Sequence, residues 1–355
     1  MSSIEHGGPD AMQPVVHDFS TNANPLGPPD EVASAVGRAN RRRYPDPDYA
    51  ALRTALAGWH GVEPQRVLPT AGTSEAIRRL TLAARLHGLT EVWAPRPGYG
   101  DYACAARALS LRVREYGSGD ELLRGLGAGG SCGAEGTLAW ICEPNNPTGA
   151  GLPTALWTAL TQVAGSRHRT VFALDRAYEP LRLVGSDPVP AEFAQRAWQC
   201  LSPNKALGLT GVRAGYLLAP VEDPMGLQDS MGSLAPSWVL SAEGVALLGA
   251  WQSPGVQTWL ARCRATLALW SHAQRNALHA FGWVQQPSVV PFWLVRPIEQ
   301  GAALARRLAQ LRGEGIKLRE TSSLGLPGCL RVSAQAPQVQ QALVHAWRRA
   351  EAVTP

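Results

Sequence analysis

The sequence predicts an α/β fold, a mostly parallel sheet sandwiched by helices with a smaller α+β C-terminal domain. Three observations predict it. Thr137-Leu-Ala-Trp-Ile-Cys142 and Thr170-Val-Phe-Ala-Leu-Asp175 are almost continuously apolar, as strands buried on both faces must be. Segments with helical apolar spacing separate these runs, which is the βα alternation of a parallel sheet. Near Ser241 the pattern changes to a long helical stretch followed by short strands. A chain of 355 residues is long enough for two domains at roughly 100–200 residues each. The expected division is an N-terminal arm over 1–30, a large domain over 31–240 and a small domain over 241–355.

Each element follows from its local pattern. Tyr49–His60 reads as an amphipathic helix, and Arg66-Val-Leu-Pro69 as a short strand entering Thr70-Ala-Gly-Thr-Ser-Glu75. Ser74–Leu86 repeats apolar residues at Ile77, Leu80, Ala83 and Leu86, one face of a helix. Glu91-Val-Trp-Ala94 is a strand, Tyr102–Leu109 a helix and Leu111–Glu115 a strand. Gly117–Gly136, rich in glycine and serine, reads as a surface excursion around one amphipathic turn, Glu121–Leu126. A helix over Leu152–Ala164 and strands over Trp198–Ser202 and Ala214–Ala219 complete the large domain. Beyond it, one helical stretch runs from Ser241 to Phe281. Strands are expected at Pro291–Val295, Ile316–Arg319 and Cys329–Ser333, with helices at Gly301–Gly313 and Gln338–Glu351.

Composition excludes several classes. No apolar run reaches the roughly 20 residues that span a bilayer, and Met1–Gly8 lacks the layout of a secretory signal. The six cysteines are scattered without C-x-x-C pairs, which argues against a disulfide framework or a structural metal and for a reduced cytoplasm. Net charge is +5, but the only dense basic run is Arg41-Arg42-Arg43, read as a solvated helix end rather than a nucleic-acid patch. Of 33 basic residues only Lys205 and Lys317 are lysine. An amine can lose its proton and attack a carbonyl, whereas a guanidinium stays charged. Lys205 stands among turn-formers and glycines in Ser202-Pro-Asn-Lys-Ala-Leu-Gly-Leu-Thr-Gly-Val-Arg213, a loop context that suits function. Lys317 lies in the alternating run Gly315-Ile-Lys-Leu-Arg319, where a solvent-facing lysine is the plain reading.

Several polar signals fall where these strands end, the edge at which open α/β sheets place ligands. Gly72-Thr73-Ser74 follows a strand and opens a helix, a ready anion site and equally an ordinary helix start. Asp175 closes a buried strand and needs a cationic partner, for which a structural arginine would also serve. Arg213 suits an anion or plain solvent exposure. Tyr99 suits either a stacking plate or a core position. An amine, an anion cradle, a buried carboxylate and an aromatic plate together are what a planar phosphorylated heteroaromatic aldehyde requires, and pyridoxal 5′-phosphate is that molecule.

Pro144-Asn-Asn-Pro-Thr-Gly149, Asp175-Arg-Ala-Tyr178, Ser202-Pro-Asn-Lys205 and Arg213 together resemble the ordered motifs of fold-type I pyridoxal phosphate enzymes, the aspartate aminotransferase superfamily. The resemblance implies that Lys205 is the Schiff-base lysine and Asp175 the partner of the pyridine nitrogen. It implies that Asn146 and Tyr178 bind the ring hydroxyl, that Gly72, Thr73, Ser74, Ser202 and Arg213 hold the phosphate, and that Tyr99 stacks on the ring. Tyr44, in Arg43-Tyr-Pro-Asp46, is similar to the tyrosine that reaches the phosphate of a neighbouring subunit, which implies a homodimer. Three positions depart from the family pattern: Ala71 for a frequent Asn, Arg176 for a common acid, and Asn204 for a small residue before the lysine.

The N-terminal third narrows the substrate. Glu5-His-Gly-Gly8, Asp18-Phe-Ser-Thr-Asn-Ala-Asn-Pro-Leu-Gly27 and Arg43-Tyr-Pro-Asp-Pro-Asp-Tyr49 resemble the L-threonine-O-3-phosphate decarboxylases of cobalamin biosynthesis and the related cobalamin biosynthetic aminotransferase-like proteins. The resemblance implies that His6, Asn22 and Arg319 recognise a substrate phosphate and that Arg331 binds the α-carboxylate. It implies decarboxylation of L-threonine O-3-phosphate to (R)-1-amino-2-propanol O-2-phosphate. The alternative is an aminotransferase of the histidinol-phosphate type, which shares the Asn-Pro-Leu-Gly and Tyr-Pro-Asp elements. No nucleic acid, membrane or metal partner is expected.

Overall fold

A computed structural model describes residues 7–12, 14–127, 136–166 and 169–352. Its strands are β1 His17–Asp18, β2 Val67–Thr70, β3 Glu91–Pro95, β4 Arg112–Tyr116, β5 Thr137–Cys142, β6 Thr170–Asp175, β7 Ala197–Leu201 and β8 Gly215–Leu218. Five more follow: β9 Val284–Gln285, β10 Phe292–Arg296, β11 Ile316–Lys317, β12 Arg319–Glu320 and β13 Leu330–Ser333. The first helices are α1 Asp30–Gly37, α2 Ala50–His60, α3 Thr73–Leu86, α4 Asp101–Ala108, α5 Gly119–Leu126 and α6 Thr154–Ser166. The rest are α7 Ala191–Arg196, α8 Leu227–Ser233, α9 Ala242–Trp251, α10 Pro254–His279, α11 Gly301–Gly313 and α12 Pro337–Ala352.

The central sheet has seven strands in the order β2-β8-β7-β6-β5-β3-β4, all parallel except β8, which runs against both its neighbours. Both faces are dry. Leu138, Trp140, Val171 and Ala173 pack with Ile77 and Leu80 of α3 and Tyr102 of α4 on one face. The alternate residues Ala139, Ile141, Phe172 and Leu174 pack with Trp157 and Leu160 of α6 and Phe193 of α7 on the other. That two-sided burial is why these strands read as continuous apolar runs.

Three expectations are corrected. The Ser241–Phe281 stretch is two helices, because Pro254 lacks an N–H and starts α10 afresh, with Ser253 accepting from the Gly255 amide. The Ile316–Arg319 run changes partner midway: β11 pairs in parallel with β1, while β12 pairs antiparallel with β13. The Gly117–Gly136 excursion holds α5, whose Leu122 and Leu126 are buried among the α6 and α7 side chains; 128–135 lie outside the described residues. Arg41, Arg42 and Arg43 occupy an exposed turn past α1, Arg41 pairing with Glu243 at 2.5 Å.

A four-stranded antiparallel sheet, β12-β13-β10-β9, forms the C-terminal part together with α10–α12. Through β1, the N-terminal segment is stitched to this part rather than to the central sheet. Among the described residues no helix is long and apolar enough to cross a membrane.

Candidate active site

One edge of the central sheet gathers the chemistry. Strands β2, β3, β5, β6 and β7 all end there, and antiparallel β8 begins there. The loops beyond them therefore bring Gly72, Tyr99, Asn146, Tyr178, Lys205 and Arg213 to a single rim although they are far apart in the chain. Two adjoining hollows of about 480 and 590 Å³ open at this rim and share Tyr99, Asn146, Tyr178 and Lys205.

Asp175 forms the floor of the first hollow and is 4% exposed. Its Oδ2 accepts from the Tyr102 hydroxyl at 2.7 Å and its Oδ1 from the Ala177 amide at 3.0 Å. Burial pushes its carboxyl above the usual carboxylate range, opposed by these two donors and by the charge of Lys205. Tyr102 is itself fully buried and stacks on Trp140 at 5.0 Å. The sequence signal that singles out Tyr99 does not reach Tyr102, three residues further along.

Lys205 follows β7 and lies partly buried between the hollows. Its Nζ sits 5.3 Å from the centre of the Tyr178 ring, with no hydrogen-bond partner among the described residues. The amine is thus placed beside the Tyr178 ring and faces both hollows. Tyr178 packs edge-on against Phe292 at 4.7 Å, and its hydroxyl accepts from Asn22 Nδ2 at 3.3 Å.

The anion cradle lies at the start of α3. Gly72 has φ +89°, a left-handed conformation that favours glycine, and its Cα faces the Arg213 guanidinium. No side chain caps this helix start, which leaves its first amides facing the hollow with Thr73 and Ser74. Ser74 Oγ is 2.9 Å from the Tyr99 hydroxyl. Ser202 is buried, its hydroxyl 2.9 Å from the Ala214 carbonyl and 3.0 Å from Asn204 Oδ1. Arg213 is exposed at the mouth. Of the departing residues, Arg176 turns away to pair with Asp187, and Asn204 is buried beneath Ser202.

The second hollow is cationic. Arg319 is 2% exposed, donating to the Glu320 carbonyl at 2.5 Å and to Ser323 Oγ at 2.8 Å. Arg331, in β13, donates to Asn146 Oδ1 and to the Ser20 carbonyl, both at 2.5 Å. Burial pushes its guanidinium down to about 10, and its Nε has no partner among the described residues. Asn22 Oδ1 is likewise buried and unpartnered among them. The orphaned Arg331 Nε is a donor that an anionic ligand would complete, and Asn22 Oδ1 is an acceptor for a ligand N–H or O–H. Tyr44 lies elsewhere, 74% exposed and stacked on Trp238 at 4.1 Å. His6 falls outside the described residues.

Lys317 is corrected. It is 9% exposed rather than solvent-facing, and it donates to the Gly8 carbonyl at 2.6 Å and to Asp10 at 2.8 Å. An alternating run does not reveal that the chain's own N-terminal segment covers its outer face.

Comparison with known proteins agrees with this geometry. The family model for Aminotransferase class I and II matches residues 14–346. The histidinol-phosphate aminotransferase of Paracoccus denitrificans is 31% identical over 93% of this chain and 89% of its own length. A crystal structure of histidinol-phosphate aminotransferase from Sinorhizobium meliloti in complex with pyridoxal-5′-phosphate superposes with TM-score 0.80 at 20% identity, covering 96% of this chain and 93% of that one. The L-threonine-O-3-phosphate decarboxylase structure from Porphyromonas gingivalis gives 0.75 at 23% identity over 93% and 98%, a likeness of fold alone.

The decarboxylase reading is therefore corrected. Curated relatives at about 30% identity are histidinol-phosphate aminotransferases. The feature that set the decarboxylases apart was the leading His-Gly-Gly, whereas the Asn-Pro-Leu-Gly and Tyr-Pro-Asp elements belong to both groups. With a loop lysine above a buried acid and a family match over most of its length, this chain belongs to the class I and II aminotransferases, the pyridoxal phosphate enzymes its motifs resemble.

Proposed function

We propose that the protein is a pyridoxal phosphate-dependent aminotransferase of a phosphorylated amino substrate, of the histidinol-phosphate type. The observation that carries the reading is the pair of buried arginines, Arg319 and Arg331, in a hollow that shares Lys205 with the cofactor hollow. The relatives at about 30% identity support it.

The residues fit the cofactor: a glycine-opened helix start with Arg213 for the phosphate, a buried carboxylate for the ring nitrogen, and Tyr99 for the ring face. When bound, pyridoxal phosphate supplies an aldehyde that takes up amines and a ring that accepts electrons from bonds at the substrate α-carbon. Asp175, whose charged form Tyr102 and the Ala177 amide favour against the burial that raises its carboxyl, would hold a proton on the ring nitrogen. Asn146 and Tyr178 would orient the ring hydroxyl. Lys205 is the amine shared by both hollows and would carry the α-proton as a base. Arg319, with Asn22 beside it, would take the phosphate of the amino donor. Arg331 would take the carboxylate of a keto-acid acceptor, bidentate recognition for which a guanidinium is suited.

The reading includes a homodimer. Tyr44 lies outside its own chain's cleft and is exposed, as suits a side chain that serves a neighbouring copy. The five described cysteines are unpaired, in keeping with a reducing, cytoplasmic setting.

The purified holoprotein given histidinol phosphate and 2-oxoglutarate should form glutamate. Histidinol without its phosphate should react with kcat/KM lower by roughly tenfold to a hundredfold, the worth of a charge-assisted contact. No glutamate from any phosphorylated amine would overturn the reading.

A further inference from the structure

The second lysine ties down the N-terminal segment. Lys317 Nζ grips the Gly8 carbonyl and Asp10 Oδ2. Arg312, in the last turn of α11 and 8% exposed, holds Asp10 Oδ1 at 2.7 Å and the Pro14 carbonyl at 3.4 Å. Two buried cations next to one another repel unless a carboxylate stands between them, and Asp10 does. Those cations hold its carboxyl well below the usual carboxylate range.

From this anchor the segment runs to the substrate hollow. The Gly8 amide donates to Ser20 Oγ at 2.8 Å, and that hydroxyl donates to Asp18 Oδ1 at 2.6 Å. The Ser20 carbonyl is the one that Arg331 binds. Gly7 lies against the same carbonyl so closely that a Cβ would come 2.2 Å from it. Gly7, Ser20, Asn22 and Arg331 together wall the hollow.

We propose that Lys317 and Arg312 form a latch on Asp10 that, through Gly8, positions the Gly7 backbone as one wall of the substrate pocket. They are positioning residues: they touch neither cofactor nor substrate and act through the segment they hold. The inference rests on the assignment of this hollow to the substrate. A compact ammonium suits the task, because it must reach a backbone carbonyl and a carboxylate in a confined space where a broad guanidinium would crowd the chain. Freed from the latch, the wall would sample many conformations, and substrate binding would bear the cost of ordering it.

The test compares wild-type holoenzyme with Asp10→Asn and Lys317→Met. Each variant should raise KM for the phosphorylated amine roughly tenfold with kcat within about twofold, the pattern of lost substrate binding. Hydrogen exchange at the Gly8 amide should quicken at least tenfold, while the absorbance of the bound cofactor stays unchanged. Glu299→Gln, which removes the partner of Arg307 on the same helix α11, serves as a control for general loosening and should leave KM and Gly8 exchange alone. Wild-type KM in both latch variants, or a KM rise equalled by Glu299→Gln, overturns the proposal. So does unchanged exchange at Gly8. The exchange measurement needs no turnover, so a failed substrate panel would remove the proposed activity without deciding the latch.

Discussion

Asp175 and Tyr102 meet at 2.7 Å across 73 residues of sequence, and the pair governs how the cleft floor titrates. The tyrosine hydroxyl favours the ionised carboxylate, which burial disfavours. Tyr102→Phe removes that help, so the carboxyl rises further and becomes protonated at higher pH. Since the ionised form is the one that holds a ring proton, the acid limb of kcat/KM moves to higher pH. A pH–rate profile of the variant checks this, at a stability cost of about 1 kcal/mol for the lost hydrogen bond. Lys205→Ala should lower turnover on the order of a thousandfold or more, since it removes the amine proposed to carry the α-proton. Steady-state assay and the loss of the lysine-bound cofactor's absorption band, with cofactor still co-purifying, read this out. At this scale Lys205 was legible in the sequence, because a lone lysine among turn residues in an arginine-rich chain stands out. Lys317 was equally rare yet misread, because its partners lie at the far end of the chain.

Among the elements, α3 links fold to chemistry most directly. Arg79, 5% exposed, pairs with Glu75 one turn earlier and donates to the Pro69 carbonyl of β2, which locks the helix to the strand it follows. The Gly72 turn between them is thereby fixed. Gly72→Ala would force an L-residue into φ +89° and push a methyl against Arg213. Strain of that kind is worth about 1–3 kcal/mol, so cofactor affinity should fall by roughly tenfold or more, measured by titrating the apoprotein with pyridoxal phosphate. The strand and helix alternation was readable because two-sided burial leaves an unbroken apolar mark. The partner switch between β11 and β12 was not, since four alternating residues look alike whether one neighbour pairs them or two.

For the molecule as a whole, the proposed dimer carries its own test. If Tyr44 serves the neighbouring copy, a mixture of Tyr44→Ala and Lys205→Ala chains will form heterodimers in which one site has both native side chains. Activity in the mixture should then exceed the sum of the two separate preparations; a merely additive result would place Tyr44 outside the reaction. By itself the sequence determined the doubly covered sheet, the pyridoxal phosphate family and the loop lysine proposed to serve it. Those properties are written in local periodicity and in short motifs that fall just past strand ends, where topology always delivers loops to one edge. Only the tertiary structure decided which buried groups face one another: Tyr102 beneath Asp175, Asn146 and Ser20 around Arg331, and the N-terminal segment under Lys317 and Arg312. Contacts of that kind depend on the distance between side chains after the chain has closed on itself, and spacing along the sequence carries no measure of that distance.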